Sequence, residues 1–250
     1  MSITRRRLLA TSAALAAPLA RARAAEDTII RIGVLTDLSG QYRDNSGPTS
    51  VLAAEQAVAD FRPEQYGFKV EILSGDHRQK PDIASALARE WYDRDGVDAI
   101  ADLNNTAVAL AVNTVSTEKD KAQLNTGAAS GDLTGKYCNP NMVHFAPDTW
   151  CFAHSTGGAI VERGGDSWFL IVADYTFGHA LEQNISTLVT GKGGKVLGAA
   201  RYPFPGTTDF PPICSRRRPP APRCSASAIP AATWKTASSR RANSASPSRA

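Results

Sequence analysis

The sequence predicts an α/β fold of two Rossmann-like lobes with parallel sheets, the second lobe incomplete. Three observations carry that prediction. Apolar runs rich in Ile and Val alternate with segments of helical period from residue 28 to residue 200. That βαβα order gives a parallel sheet covered by helices on both faces. Trp168 to Ala173 is a continuous apolar run between polar flanks, the habit of a strand buried on both faces. Residues 140–149 carry no regular pattern and fit a crossing between two lobes with a cleft between them.

Taken in order, 28–37 reads as the first strand and ends in the turn Ser39-Gly40-Gln41-Tyr42. Val51, Ala54, Ala57, Val58 and Phe61 recur at helical spacing, so 50–61 reads as a helix, which Pro63 ends. Ser46, just ahead of it, reads as exposed. The second strand spans 68–73 and leads to Asp76-His77; a helix over 81–92 carries Pro81 at its start, where proline is tolerated. Strand three covers 97–103, and the helix over 106–119 is capped by Asn105 or Thr106. A short fourth strand, 122–125, runs into a Gly/Ala/Ser loop over 126–132. Then come a helix over 152–162, the strand 168–173, a polar-aromatic loop over 174–177, a helix over 180–190 and a strand over 195–200.

The chain of 250 residues suffices for one large domain or two small ones. Its formal charge of +4 is unevenly placed. Residues 1–25 hold five Arg and no acid, and residues 211–250 hold seven Arg, one Lys and no acid. The 185 residues between carry 15 basic and 24 acidic side chains, a net of −9. An acidic body excludes the nucleic-acid and membrane-surface partners that a basic pI suggests. At the N-terminus, Arg5-Arg6-Arg7 precedes an Ala/Leu-rich run to Ala20 and the small residues around Ala22 and Ala24. This is the order of a secretory signal, with the Arg pair after Thr4 resembling the twin-arginine type. The division that follows is 1–25 export signal peptide, 26–145 lobe one, 146–210 partial lobe two and 211–250 a disordered tail.

No catalytic or cofactor motif stands out. His77, His144, His154 and His179 show no metal-ligand spacing, and each reads as a surface or packed residue. No nucleophile elbow and no phosphate-binding glycine loop occurs, so no cofactor and no metal is expected. Asp174 and Tyr175 are capable of acid–base work, yet without a nucleophile or metal, ligand binding is the simpler reading. Cys138 and Cys151 are free to pair in an oxidising compartment; two unpaired buried thiols fit equally well. What the strand ends do offer is hydrogen-bond donors. Asn104, Asn105 and Thr106 open the helix after strand three, and Ala128, Ala129 and Ser130 follow strand four. A helix start presents free N–H groups and a partial positive charge, an environment that suits a carboxylate. Tyr42, Tyr175 and Phe177 supply apolar or stacking walls from other loops.

At these residues a resemblance becomes specific. The run Asn125-Thr126-Gly127-Ala128-Ala129-Ser130-Gly131-Asp132-Leu133-Thr134-Gly135-Lys136 resembles the second binding loop of periplasmic branched-chain amino-acid-type binding proteins. Gly164-Gly165-Asp166-Ser167-Trp168-Phe169, Ala173-Asp174-Tyr175-Thr176-Phe177-Gly178-His179, Pro81-Asp82-Ile83-Ala84 and Gly206-Thr207-Thr208-Asp209-Phe210 are similar to the same family, over residues 30–210. The resemblance implies the type I two-lobe fold and the periplasmic, non-catalytic solute-binding component of an ABC uptake system. Its partners would be an amino-acid-like small molecule and the transporter's permease subunits. By resemblance Ala128 and Ser130 hold the ligand carboxylate, Asn105 and Thr106 assist, and Tyr175 or Phe177 reaches the ligand from lobe two. A ligand-sensing regulatory domain of the same fold is the alternative. A hydrolase using Asp174 or His179 is a third reading.

The family runs longer than this chain, and the tail suggests why. Residues 211–250 contain seven Pro, seven Arg, nine Ala and eight Ser, with no helical or strand period. Pro, Arg and Ala codons are rich in G and C. Read from the third nucleotide of each codon, plausible codons for 212–230 give Ala-Tyr-Leu-Leu-Gln-Ala-Gln-Ala-Ser-Gly-Ala-Lys-Val-Leu-Gly-Leu-Gly-Asn. The same shift makes residues 231–246 able to read Gly-Gly-Asp-Leu-Glu-Asn-Cys-Ile-Lys-Gln-Ala, then Glu-Phe-Gly. That is an amphipathic helix, a buried strand, a loop and a helix, in the order the family follows. The expectation is a frameshift and a fragment that does not bind.

Overall fold

The computed structural model describes residues 28–207 and 224–228. Residues 1–25, expected to be an export signal, and most of the tail lie outside the described residues. Lobe one is a five-stranded parallel sheet in the order β2-β1-β3-β4-β5. Its strands are β1 (Thr28–Thr36), β2 (Phe68–Asp76), β3 (Ala99–Asp102), β4 (Ala122–Asn125) and β5 (Met142–His144). Helices α1 (Gly47–Phe61), α2 (Pro81–Glu90) and α3 (Thr106–Glu118) connect them. The register places Asp102 beside both Leu35 and Asn125, so three strands end in line and their loops open on one edge.

Apolar side chains of β1, β3 and α3 form the core, with Leu35, Ile100, Val108, Val112 and Val115 fully or almost fully buried. Trp91 lies flat across β1 and β2 because both present a glycine. A Cβ on Gly33 would stand 2.4 Å from the indole, and one on Gly75 would stand 2.8 Å from it. Close approach, not turn geometry, requires those two glycines.

Lobe two has three parallel strands in the order β7-β6-β8: β6 (Ser167–Asp174), β7 (Lys195–Pro203) and β8 (Cys224–Ala228). The one-turn helix α4 (Thr149–Phe152), a π-type turn, α5 (Gly158–Glu162) and α6 (Thr176–Gly191) cover it. Trp168, Leu170, Val172, Leu181, Ile185 and Val189 form its core, and the Trp168 indole N–H donates to the Gly165 carbonyl at 2.8 Å.

The structure corrects several expectations. The patternless stretch contains β5, which extends lobe one; its three residues are too few for an alternation to register. β2 runs on to Asp76 and β7 to Pro203, because each is paired with its neighbour along its whole length. The 152–162 helix starts at Thr149, where Asp148 caps it, and a π-type turn interrupts it. The 174–177 loop is shorter than expected, since Thr176 and Phe177 already belong to α6. The tail carries β8, hydrogen-bonded alongside β6, where regular structure was not expected. A strand can form there because β6 offers a free edge on the side away from β7. Cys138 and Cys151 are unpaired and exposed rather than buried.

Candidate functional site

The ends of β1, β3 and β4 in lobe one and of β6 and β7 in lobe two supply the candidate site. In lobe one a buried polar chain ties the loops together. The Asp37 carboxylate accepts the Gly40 N–H at 2.7 Å, the Tyr42 N–H at 2.9 Å and the Gln79 amide at 2.6 Å. Gln79 in turn accepts from the Asn105 amide at 2.6 Å. His77 Nδ1 accepts the Gln79 N–H, so the ring carries its proton on Nε2 and donates it to Asn104 Oδ1 at 2.8 Å. Burial holds the His77 pKa below its usual value, against the opposing pull of Asn104, Asp37 and Asp76. The Asn104 amide donates to Ser46 Oγ. Ser46 is therefore buried and bonded, not the exposed residue its sequence neighbourhood suggests.

Each expected donor has a definite place. Asn105 Oδ1 accepts the Ala107 and Val108 N–H groups at 2.8 and 3.2 Å, so Asn105 caps α3. Its Oδ1 is engaged by both, and it closes part of the helix start that was expected to stay open for a ligand. Thr106 is 1% exposed and its hydroxyl has no partner among the described residues. Ser130 is wholly buried; its Oγ accepts the Asp132 N–H at 3.3 Å, which leaves its O–H free to donate. The Ala128 N–H is held by Asn125 Oδ1 at 3.0 Å and the Ala128 carbonyl contacts His144 Nε2 at 2.6 Å. Ala129 between them is half-buried. A Cβ on Gly127 would lie 2.7 Å from both the Asn104 Cα and Asp102 Oδ1, so the loops after β3 and β4 are packed directly together. Burial raises the Asp102 pKa, partly offset by the Thr36, Ser50 and Thr126 hydroxyls around it.

Lobe two brings aromatic rings. The Tyr175 ring stacks on Phe204 at 4.5 Å between centroids, and Phe177 lies 6.0 Å from Tyr175. Tyr42 of lobe one joins this group: its hydroxyl bonds that of Tyr175 at 2.5 Å, and its ring lies 5.3 Å from Phe204. Gln41 donates to the Pro205 carbonyl across the same junction. Burial pushes the Tyr42 phenol up to about 12 and the Tyr175 phenol well above its usual value. Both therefore act as neutral hydrogen-bond groups at any physiological pH. Tyr42, Tyr175 and Phe177 are thus brought together, whereas Thr106 and Ser130 lie buried in lobe one.

Sequence reasoning missed Tyr202, which is buried in one cluster with Tyr175 and Phe204, and Phe204 itself, because the last strand was expected to stop at Ala200. The aromatic-proline alternation of Tyr202-Pro203-Phe204-Pro205 was the available signal. It also missed Asp37 and Gln79, whose role depends on contacts across 42 residues of sequence. His179 Nε2 bonds Asp174 Oδ1 at 2.7 Å on the exposed rim, with no hydroxyl or thiol bonded to either among the described residues. No group of three or more His, Cys, Asp and Glu suited to a metal occurs among the described residues, and none of the helices searched is long and apolar enough to cross a membrane.

Residues 29–218 match the profile of the periplasmic binding protein family. The chain belongs to that family. A periplasmic binding protein from Burkholderia mallei superposes with a TM-score of 0.80 at 38% identity, covering 87% of this chain and 59% of that one. The solute-binding protein of an ABC transporter from R. palustris, solved with 4-hydroxybenzoate, gives 0.77 at 25% identity over 87% and 60%. A Leu/Ile/Val-binding protein homolog of Brucella abortus is 26% identical over 196 residues, 78% of this chain and 49% of its own. The family thus confirms the two-lobe α/β architecture, and this periplasmic binding protein spans about half the length of the curated relatives it matches.

Proposed function

We propose that this protein is the extracytoplasmic solute-binding component of an ABC uptake system. It takes an amino acid or a related small carboxylate or amide between its lobes and hands it to membrane permease subunits, with no turnover. The observation that carries the reading is the pairing of two walls. On lobe one, buried hydroxyl donors at Thr106 and Ser130 stand on loops locked by the Asp37–Gln79–Asn105 chain. On lobe two, stacked aromatic rings meet Tyr42 across the junction. Prearranged donors bind a carboxylate without reorganising, and rings enclose its apolar part. Relatives named for leucine, isoleucine and valine and for 4-hydroxybenzoate support this ligand range. The Asp174–His179 pair of the hydrolase reading is exposed, and neither residue is bonded to a hydroxyl or thiol among the described residues.

We further infer that the 250-residue chain is a frameshifted fragment exported by the N-terminal signal. β8 supports this. Its five residues are Cys-Ser-Ala-Ser-Ala, an unusual composition for a strand paired beside β6. With plausible codons the shifted frame can read Val-Leu-Gly-Leu-Gly there, a sequence suited to that place. Sequencing the gene tests the frame: a continuing reading frame for the remaining part is expected. An in-frame tail with no such frame downstream refutes it. A thermal-shift screen of the frame-restored protein against aliphatic and aromatic amino acids, amides and aromatic acids tests the binding. A bound ligand stabilises by RT ln(1 + [L]/Kd), and no shift with any class would contradict the reading.

A further inference from the structure

His77 is a fully buried histidine just after β2 that the ligand reading leaves unused. Both ring nitrogens are committed to one neutral form. Nδ1 accepts the Gln79 N–H at 3.1 Å, and Nε2 donates to Asn104 Oδ1 at 2.8 Å. The turn that the ring closes is a strained one. Arg78 and Gln79 both stand in the left-handed region, at φ 52 and 58, which residues other than glycine rarely occupy. Such a pair persists only where its surroundings fix it. Here the Lys80 N–H bonds the His77 carbonyl at 2.8 Å, the Arg78 N–H bonds Asp76 Oδ1 at 2.9 Å, and the Gln79 N–H bonds the ring. The buried Gln79 amide then bridges Asp37 to Asn105, at 2.6 Å on each side. Asn105 caps α3 beside Thr106, so the ring is linked through one side chain to the donor loop after β3.

Protonation of His77 puts a hydrogen on Nδ1, facing the Gln79 N–H, so two donors meet with no acceptor between them. The bond to Asn104 survives, because Nε2 carries its proton in both forms. The conflict therefore falls on the Gln79 side alone. A buried donor left without an acceptor is costly, and here it also removes the tie on a strained residue. We propose that His77 is the positioning residue of the donor loop: its neutral ring holds the 77–79 turn shut, and its protonation lets Gln79 leave Asn105, so that the site loses ligand in mildly acidic solution. The proposal rests on the ligand reading above. The charged groups facing the ring are Asp37, just after β1, and Asp76, the last residue of β2, while the loop after β3 presents the neutral Asn104 amide. Burial disfavours the charged ring and outweighs the opposing pull of Asn104 and both carboxylates. In an open turn the ring meets water, and its pKa returns toward the ordinary ~6.5. The open form thus takes up the proton first. Affinity is full above that value and falls as pH drops below it toward the depressed folded value, by at most about tenfold per pH unit for one proton.

Hydrogen exchange on the 250-residue chain reads this device without a ligand, as protection relative to the unprotected rate at each pH. The Gln79 and Ala107 N–H groups should lose at least about fivefold in protection between about pH 7.5 and about pH 5, while the core amides of β1 and β3 keep theirs. His77→Gln offers one acceptor and one donor that do not titrate, and it should flatten both profiles. In Gln79→Ala the link to Asn105 is cut. The loss at residue 79 should persist there, and protection at Ala107 should be low at every pH. Unchanged protection at Gln79 in the wild type overturns the proposal, and so does loss at Gln79 with none at Ala107. Equal loss in the core amides overturns it as well, since acid would then unfold the whole lobe. Calorimetry with benzoate and with L-phenylalanine on the frame-restored protein is the second readout. Kd should rise by at least about fivefold over the same interval in the wild type and stay level in His77→Gln. Affinity that ignores pH, beside pH-dependent exchange at Ala107, overturns the coupling to the ligand. Exchange that behaves as expected with no binding of either probe keeps the turn device and removes the ligand reading instead.

Discussion

Lobe one and lobe two are built from the same βα units, yet they are not equally complete. Lobe one has five strands and a continuous core of fourteen buried apolar residues, Leu35 to Leu133. Among the described residues, lobe two has three strands, and its main cluster holds seven buried residues, Ala153 to Val189. Its strand β8 comes from the compositionally odd tail. Core size rather than local propensity separates them: β6 is as strand-like in sequence as β1 and, like it, is paired on both edges, but its lobe buries the smaller cluster among the described residues. Lobe one should therefore unfold as the more stable unit, and lobe two should open first.

The sharpest way to break the comparison is a cavity in each core. Trp168→Ala in lobe two should cost about 3–5 kcal/mol and Ile100→Ala in lobe one about 2–5 kcal/mol. By hydrogen exchange, the first should release protection in β6 and β7 alone, and the second should abolish it in both lobes. Release of both lobes by Trp168→Ala would show that they unfold as one. A smaller break is Gly178→Ala. A Cβ there would stand 1.9 Å from the Ala173 carbonyl oxygen, where α6 starts against the end of β6. Overpacking of this sort costs about 1–3 kcal/mol or more, read as a lower denaturant midpoint with an unchanged slope.

Tyr175→Phe sharpens the comparison at the junction. It removes the hydroxyl bond to Tyr42 and keeps the stack on Phe204. Loss of one such bond should cost about 0.5–1.5 kcal/mol, seen in small-angle scattering as a more open average shape. No change in shape or stability would show that the bond does not hold the lobes together. The smallest expected effect is on pH. His77 is held below its usual pKa by burial, so the unfolded chain takes up the proton first. Stability should be complete above the ordinary histidine range near ~6.5. It should fall as pH drops from there toward the depressed folded value. Titration of stability in His77→Gln should lose that dependence.

Much of this architecture is legible in the sequence for a physical reason. A strand buried on both faces, such as β6, must be apolar throughout, and a helix over a sheet must be periodic, so both leave a mark on a local window. Asn105 before α3 is legible in the same way, as a side chain that satisfies helix N–H groups. Three features are not. β5 is too short to show a period. The Asp37–Gln79–Asn105 chain joins residues distant in sequence, none of them unusual in its own window. Tyr202 and Phe204 become site residues only because β7 runs three residues past its apolar stretch. Ser130 is legible as a donor because a small polar residue follows strand four, whereas the particular ligand role expected of it came only from the family resemblance.

The central claim is that buried hydroxyls on lobe one hold a ligand carboxylate, and calorimetry on Ser130→Ala in the frame-restored protein tests it most directly. Ser130 Oγ is already an acceptor for the Asp132 N–H, so its proton is the group a carboxylate would take. Loss of a hydrogen bond to a charged group costs about 1.5–3 kcal/mol, or roughly ten- to a hundredfold in Kd. The account predicts a weakening of that size, with Ser155→Ala, at an exposed position, leaving affinity unchanged. Equal affinities in the wild type and both variants would remove Ser130 from the site and contradict the account.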